Sequence, residues 1–144
     1  MPTLDEPERH RRFTTAQVAR LATLRADGTP RLVPITFALV DGLICSAVDD
    51  VKAKTTMQLA RLTDVARDPR VALVADHYAD DWSQLWWVRV DGTAEVLADG
   101  PRRTAAVVAL RAKYPRYETA ELAGPVLAIT PTRWSGWTAT LRSG

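Results

Sequence analysis

The alternation of apolar and polar positions along the chain predicts a structure built mainly of β-strands. The pattern indicates six strands, at 20–24, 31–40, 43–48, 70–75, 84–97 and 126–130. Asp27-Gly28 and Asp41-Gly42 are turn dipeptides, and they predict that the first three strands form a meander. Asp91-Gly92 predicts a turn or bulge near the middle of the fifth strand.

Pro34 lies inside the second predicted strand. Because proline has no N–H to donate to a neighbouring strand, it is unsuited to a regular central strand. The run 31–40 is therefore predicted to be an edge, bulged or ligand-facing strand.

Helical patterns fall before and between the strands. They predict a short helix at 5–12 interrupted by Pro7, a second at 16–20 after a Thr14-Thr15 cap, and longer helices at 55–66 and 101–114. The strands and helices do not alternate as βαβ units. The chain is therefore predicted to be one domain, 1–144, folded as an antiparallel barrel with peripheral helices.

Composition narrows the classes of function. A chain of 144 residues with 47% hydrophobic and 25% charged residues suits one soluble globular core. The formal net charge of +2 gives no bulk basic character for nucleic-acid binding, and no apolar run is long enough to span a membrane. The N-terminus is charged and lacks the apolar segment of a secretory signal, which predicts a cytoplasmic protein.

Several catalytic chemistries find no support in the sequence. The single cysteine, Cys45, lies in an apolar strand and reads as a buried packing residue. One histidine, His77, near a few aspartates is a poor transition-metal set, so no metal site is predicted. The chain also lacks a Gly-x-Ser-x-Gly elbow, a dinucleotide-binding glycine fingerprint and a P-loop.

The segment 49–56 carries the strongest local signal for an anion. Lys52, Lys54 and Thr55 lie between a predicted strand and a predicted helix, where free backbone N–H groups and lysines can hold a phosphate. The same pattern also fits a Thr55 helix cap beside solvated lysines. Arg61, six residues further on, either points to the same anion or faces solvent.

Five tryptophans form the second notable feature. Trp86 and Trp87 are neighbours on a predicted strand, so they face opposite sides of the sheet. An outward tryptophan suits a partner subunit or a flat ligand. Coverage of both rings by the core and a peripheral helix fits the pattern equally well.

Four stretches together resemble a known family. They are ATLRADGTPRLVPITF (22–37), AVD with KAKT and LARL (47–62), DPRVALV with DHY, DW and LWWVRVDG (68–92), and WSGW (134–137). Over about residues 18–137 the chain resembles the pyridoxamine-phosphate-oxidase-like split-barrel superfamily. More narrowly, it resembles the F420-dependent oxidoreductase branch of actinobacteria.

The resemblance implies a six-stranded antiparallel split β-barrel that forms a homodimer, with cofactors in clefts at the interface. It also implies a set of cofactor-binding residues. These are Val33, Pro34, Ile35 and Thr36 along the flat ring; Ser46, Ala47 and Val48 on the neighbouring strand; Lys52, Lys54 and Thr55 at the phosphate; and Trp87, Arg89, Trp134 and Trp137 from the second subunit.

The implied activity is hydride transfer between the deazaflavin F420 and an organic substrate, with the cofactor supplying the reactive centre. FMN-dependent oxidoreduction, a non-catalytic carrier or sensor, and haem binding through His77 are alternatives within the same superfamily. Tyr78 is either a proton donor or an interface hydroxyl, and no catalytic residue is assigned. The oxidase members of the superfamily carry further arginines near the C-terminus, whereas Arg142 is the only arginine after Trp137 here, so the resemblance argues against vitamin B6 oxidation.

Overall fold

The computed structural model of the chain describes residues 3–48, 56–120 and 122–140, without the side chains of 56–59. Its strands are β1 (Ala19–Leu24), β2 (Pro30–Ile35), β3 (Ala38–Val40), β4 (Leu43–Ala47), β5 (Arg70–His77), β6 (Trp86–Leu97) and β7 (Val126–Thr138). Its α-helices are α1 (Glu6–Thr15), α2 (Thr56–Arg67) and α3 (Pro101–Lys113). Short 3₁₀ helices lie at Trp82–Gln84 and Pro115–Glu118.

The strands form one sheet in the order β2-β1-β5-β6-β7-β4-β3, and every neighbouring pair is antiparallel. The prediction of a mainly β, antiparallel fold with peripheral helices is confirmed. The sheet is open, with β2 at one end of the order and β3 at the other. This arrangement confirms that the Pro34 strand is an edge strand, where a missing N–H is tolerated.

The predicted number of strands requires a correction: the described residues form seven strands rather than six. The run 31–40 is two strands, β2 and β3, separated at Thr36 and Phe37. The predicted β1–β2 and β3–β4 hairpins are present, but the three-strand meander is wrong because β2 and β3 lie at opposite ends of the sheet.

The N-terminal helices also differ from the prediction. A single helix, α1, replaces the interrupted one; Pro7 lies in its first turn, where its missing N–H costs nothing, and Asp5 caps it. The predicted helix at 16–20 is wrong, because β1 begins at Ala19 and alternates its buried and exposed residues. Pairing with both β2 and β5 overrides the weak local helical pattern there. The two longer helices, α2 and α3, are confirmed within one or two residues.

The bulge predicted at Asp91-Gly92 is present, where the β6–β7 register shifts. A side-chain carbon at Gly92 would collide with the Thr130 carbonyl oxygen, so the bulge brings two backbones too close for any larger residue. Strand β7 runs beyond its predicted end, and the WSGW motif is therefore part of a strand.

Two hydrophobic clusters hold the sheet. One is lined by strands from both halves of the sheet, with Leu21, Ile44, Leu73 and Val88 among its members. The other packs α3, through residues such as Leu110, against β3, β4 and β7. Cys45 belongs to this second cluster, and burial raises the pKa of its thiol to about 11, which confirms the prediction of a packing residue.

Candidate functional site

A cavity of about 210 Å³ opens where the ends of β2 and β4 approach each other. Five residues predicted to bind a cofactor line it: three from 34–36 and two from 46–47. The complete lining is Val18, Pro34, Ile35, Thr36, Ser46, Ala47, Arg61 and Tyr117. The structure therefore brings together most of the predicted ring-binding residues from two strands at distant positions in the sheet order.

Side chains at the end of α3 and in the 3₁₀ turn after it hydrogen-bond to the wall of this cavity. The Thr36 Oγ1 and the Tyr117 hydroxyl are 2.7 Å apart and share a hydrogen bond. The Phe37 N–H donates to the Tyr114 hydroxyl at 3.1 Å, and Lys113 Nζ donates to the Phe37 carbonyl at 2.9 Å. These contacts fix the link between β2 and β3, a segment that the sequence pattern predicted to be part of one continuous strand.

Arg61 and Tyr117 are the two polar residues of the cavity that the sequence did not place there. Arg61 is only 6% exposed, and Tyr117 is 3% exposed. A signal for Arg61 exists, because it shares a helix face with Val65, four residues later, which is buried in the core. Tyr117 reaches the cavity from a turn 81 residues away from Thr36, and no local pattern indicates that contact.

A buried carboxylate joins α2 to the first hairpin. Asp64 is 3% exposed and accepts hydrogen bonds from the Thr23 hydroxyl and Arg31 Nε, each at 2.7 Å. Burial raises the pKa of Asp64, but the hydrogen bonds from Arg31 and Thr23 and the Arg31 charge outweigh it, so the pKa lies below its ordinary value of 3.8. Asp64 therefore stays ionised at neutral pH and anchors α2 to β1 and β2.

Beside this network lies an open hollow of about 510 Å³ lined by three arginines, Arg25, Arg31 and Arg67, and by two aspartates, Asp27 and Asp64. The hollow and the cavity are both lined by residues of β2 and α2. Arg31 precedes Pro34 by three residues on β2, and Asp64 follows Arg61 by one helical turn on α2. The hollow, named here the arginine hollow, thus lies along the same β2–α2 pair as the cavity.

Three of the residues predicted to come from a second subunit share the outer face of the sheet. Trp87 lies opposite Trp137, and Arg89 lies opposite Ser135. Trp87 is 39% exposed, and Arg89 donates a hydrogen bond to Asp91 at 2.7 Å. None of these residues lines the cavity of its own chain.

Other predicted site residues lie elsewhere. Trp134 lies on the opposite face of β7, where its ring stacks on His10 with the centroids 4.0 Å apart. Val33 and Val48 are buried, and neither lines the cavity. The predicted phosphate residues Lys52, Lys54 and Thr55 lie outside the described residues.

Three further features of the described residues bear on function. Tyr78 is 68% exposed and lies in the loop after β5, away from the cavity lining. No group of three or more histidine, cysteine, aspartate or glutamate side chains in the described ranges could hold a metal ion. No helix in the same ranges is both long and apolar enough to cross a membrane.

Comparison with solved structures finds the same fold in several other proteins, of which three are described here. A conserved hypothetical protein from Mycobacterium tuberculosis matches with a TM-score of 0.77 and 22% identity, over 98% of this chain and 92% of that one. A FAD-binding protein from Mesorhizobium loti matches with a TM-score of 0.70 and 25% identity, over 94% and 95%. A heme binding protein from Mycobacterium smegmatis matches with a TM-score of 0.69 and 20% identity, over 92% and 57%.

Sequence comparison gives the family. No curated protein matches the chain significantly. The family model for pyridoxamine 5'-phosphate oxidase matches residues 6–138, which is nearly all of the chain and includes every strand. The chain belongs to the pyridoxamine 5'-phosphate oxidase family.

Proposed function

We propose that the cavity between β2 and β4 binds the flat ring of a flavin-type cofactor, and that the protein is an oxidoreductase that uses F420. The observation that carries this proposal is the lining itself, which combines Pro34–Thr36 and Ser46–Ala47 with the buried Arg61. FMN is the alternative cofactor, and a non-catalytic carrier is the alternative role.

The residues present fit such a ring. Pro34, Ile35 and Ala47 offer apolar surface for its faces, while the Thr36–Tyr117 pair and Arg61 offer hydrogen-bonding groups for its polar edge. We assign the phosphate attached to the ring to Lys52, Lys54 and Thr55, which precede α2 in the sequence. F420 and FMN share this combination of a flat ring and a phosphate.

The choice of F420 over FMN rests on the resemblance of the DHY, DW and LWWVRVDG motifs to one branch of the superfamily. The FAD-binding relative from Mesorhizobium loti supports a flavin-class ring in general and does not distinguish these two cofactors. When bound, the cofactor would supply the hydride chemistry, and the chain would bind the ring, orient it and exclude water from it.

We also propose that two chains assemble so that the second completes the site. A cavity of about 210 Å³ is smaller than the roughly 300–1,000 Å³ usual for a site that encloses a small molecule. The outer face of the sheet exposes apolar side chains, with Leu32 67% exposed and Trp87 39% exposed. Covering these side chains would favour association of two chains through this face, and Trp87, Arg89 and Trp137 are the residues we assign to the partner's cofactor.

The test is a fluorescence titration of the apoprotein with F420 and, separately, with FMN. Wild type is compared with Thr36→Trp, which fills the cavity, and with Thr104→Trp, a matched change at an exposed position on α3. The proposal predicts binding to wild type and to Thr104→Trp, and loss of at least about tenfold in affinity for Thr36→Trp, equal to about 1.4 kcal/mol.

Equal binding to all three proteins would place the ligand outside the cavity and refute the site. Preference for FMN would replace F420 as the cofactor while keeping the site. Turnover of reduced F420 with candidate acceptors then separates an enzyme from a carrier, because a carrier binds the cofactor without consuming it.

A further inference from the structure

Arg61 is an unusual wall residue for a cavity of this size. Its side chain carries a permanent positive charge, since guanidinium is not deprotonated in proteins, yet the residue is only 6% exposed. The side chain lines the cavity beside Pro34, Ile35 and Ala47, so its charge can act on whatever occupies the cavity.

We infer that Arg61 stabilises the reduced form of the bound ring and so determines how strongly the site favours reduction. This inference rests on the proposed function, because it takes the occupant to be a flavin-type ring. A hydride accepted from a substrate would bring two electrons and one proton, and the substrate, having lost them, would be oxidised. Without a second proton, a bound ring would then carry one additional negative charge. A buried guanidinium beside that charge attracts it strongly, because the surroundings are poorly polarisable.

The position of Arg61 favours contact with the ring over contact with a phosphate. Arg61 lines the cavity with the Thr36–Tyr117 pair, whereas the arginine hollow is lined by Arg25, Arg31 and Arg67. Six residues separate Arg61 from Arg67 on α2, which is about 9 Å along a helix axis. Among the described residues the cavity lining therefore holds one cation, Arg61, whereas Arg31 and Arg67 are already paired with Asp64.

The measurable consequence is a difference in affinity between the two redox states. We expect wild type to bind the reduced cofactor more tightly than the oxidised one, using whichever of FMN and F420 it binds. Arg61→Gln removes the charge and should lower the ratio of oxidised to reduced dissociation constants by about 10- to 100-fold, the range of one charged hydrogen bond. This 10- to 100-fold change in the ratio corresponds to a fall of about 30 to 60 mV in the two-electron potential of the bound cofactor.

Two variants control for structural effects. Arg61→Lys keeps the positive charge and should restore most of the ratio, which a merely structural role would not predict. Arg116→Gln makes the same change in charge at an exposed position beside Tyr117 and should leave the ratio unchanged. Thermal denaturation of each variant identifies any that are unfolded; if Arg61→Gln is unfolded, the wild-type ratio and Arg61→Lys still test the inference.

The titrations also separate the ring from the phosphate. Each protein is titrated with the same ring lacking its phosphate, which is riboflavin in the case of FMN. If Arg61 contacts the ring, Arg61→Gln changes the redox ratio for both compounds. A loss of affinity confined to the phosphorylated compound, with an unchanged ratio, would overturn the inference and assign Arg61 to the phosphate.

The failure of the inference is distinguishable from that of the proposed function. A wild type that binds neither cofactor refutes the proposed function, and the inference falls with it. A wild type that binds the oxidised cofactor as tightly as the reduced one, or a ratio that Arg61→Gln leaves intact, refutes the inference alone.

Discussion

Removal of the Asp64 carboxylate is expected to destabilise the fold more than any other single change to the residues around the arginine hollow. Asp64 accepts hydrogen bonds from Thr23 and Arg31 at 2.7 Å, and Arg67 lies 3.4 Å from its other oxygen. It ties α2, which carries Arg61, to β1 and β2, which carry one wall of the cavity. The network is therefore a support of the site as well as of the fold.

The magnitude follows from the burial of each partner. Removing one member of a buried ion pair costs roughly 3–5 kcal/mol, because the other charge is left uncompensated. The Arg31 side chain keeps 21% of its surface exposed, so water recovers part of its charge and the lower end of that range applies. We expect Asp64→Ala to lower the free energy of unfolding by about 3 kcal/mol, a figure that includes the cost of leaving the Thr23 hydroxyl without its acceptor. Asp64→Asn should lower it by about 1–2 kcal/mol.

Urea denaturation followed by tryptophan fluorescence, at one fixed protein concentration, measures both variants. Thr23→Val supplies a double-mutant cycle with Asp64→Asn, in which we expect non-additivity of about 0.5 kcal/mol or more because the two side chains are in contact. A loss below about 1 kcal/mol for Asp64→Ala would refute the reasoning, since that is the range of an exposed ion pair.

The pH dependence of folding stability independently tests whether ionised Asp64 stabilises the fold. The pKa of Asp64 is lower in the folded protein than the ordinary 3.8, so the unfolded chain binds its proton first as the pH falls. The contribution of Asp64 is therefore fully present well above pH 3.8 and is lost as the pH falls toward the lowered folded-state pKa. The difference in stability between wild type and Asp64→Asn should shrink on acidification, and a difference that grows would contradict the assignment.

The remaining predictions concern the bulge, the cavity wall and the outer face. Gly92→Ala should cost about 2 kcal/mol or more in urea denaturation, because its side chain would meet the Thr130 carbonyl; a neutral effect would refute the close approach. Tyr114→Phe should cost about 1–3 kcal/mol, because the Phe37 N–H loses its buried acceptor. Burial lowers the pKa of Lys113 from 10.5 to about 8, so the unfolded chain retains more protons between these values; stability should rise over that pH window, and Lys113→Met should abolish the rise. Leu32→Asp should convert a dimer to a monomer in sedimentation while leaving the thermal unfolding cooperative; a wild type that sediments as a monomer would refute the proposed assembly.

Local patterns predicted those features that short-range chemistry determines. Gly28 and Gly42 have φ angles of 85° and 81°, which few other residues adopt, and the turns placed on them are correct. The bulge was predictable from the Asp91-Gly92 dipeptide inside a strand pattern. The helix that starts at Pro101 was predictable because proline suits the first helical turn.

Contacts between distant parts of the chain determined what the sequence pattern missed. The break between β2 and β3 occurs where Lys113 and Tyr114 hold Phe37, across 76 and 77 residues of sequence. Arg61 gave no clear choice between solvent and ligand, because its burial depends on the approach of β2, β4 and the turn at Tyr117. The split of one apolar run into two edge strands therefore could not be read from its own residues.

The central claim is that a flavin-type ring binds between β2 and β4. A crystal structure of the protein reconstituted with F420 or FMN tests it most directly. The account predicts electron density for the ring against Pro34–Thr36 and Ser46–Ala47, with Arg61 within hydrogen-bonding distance of its polar edge. Density for the ring at any other surface of the chain, with this cavity filled only by water, would contradict it.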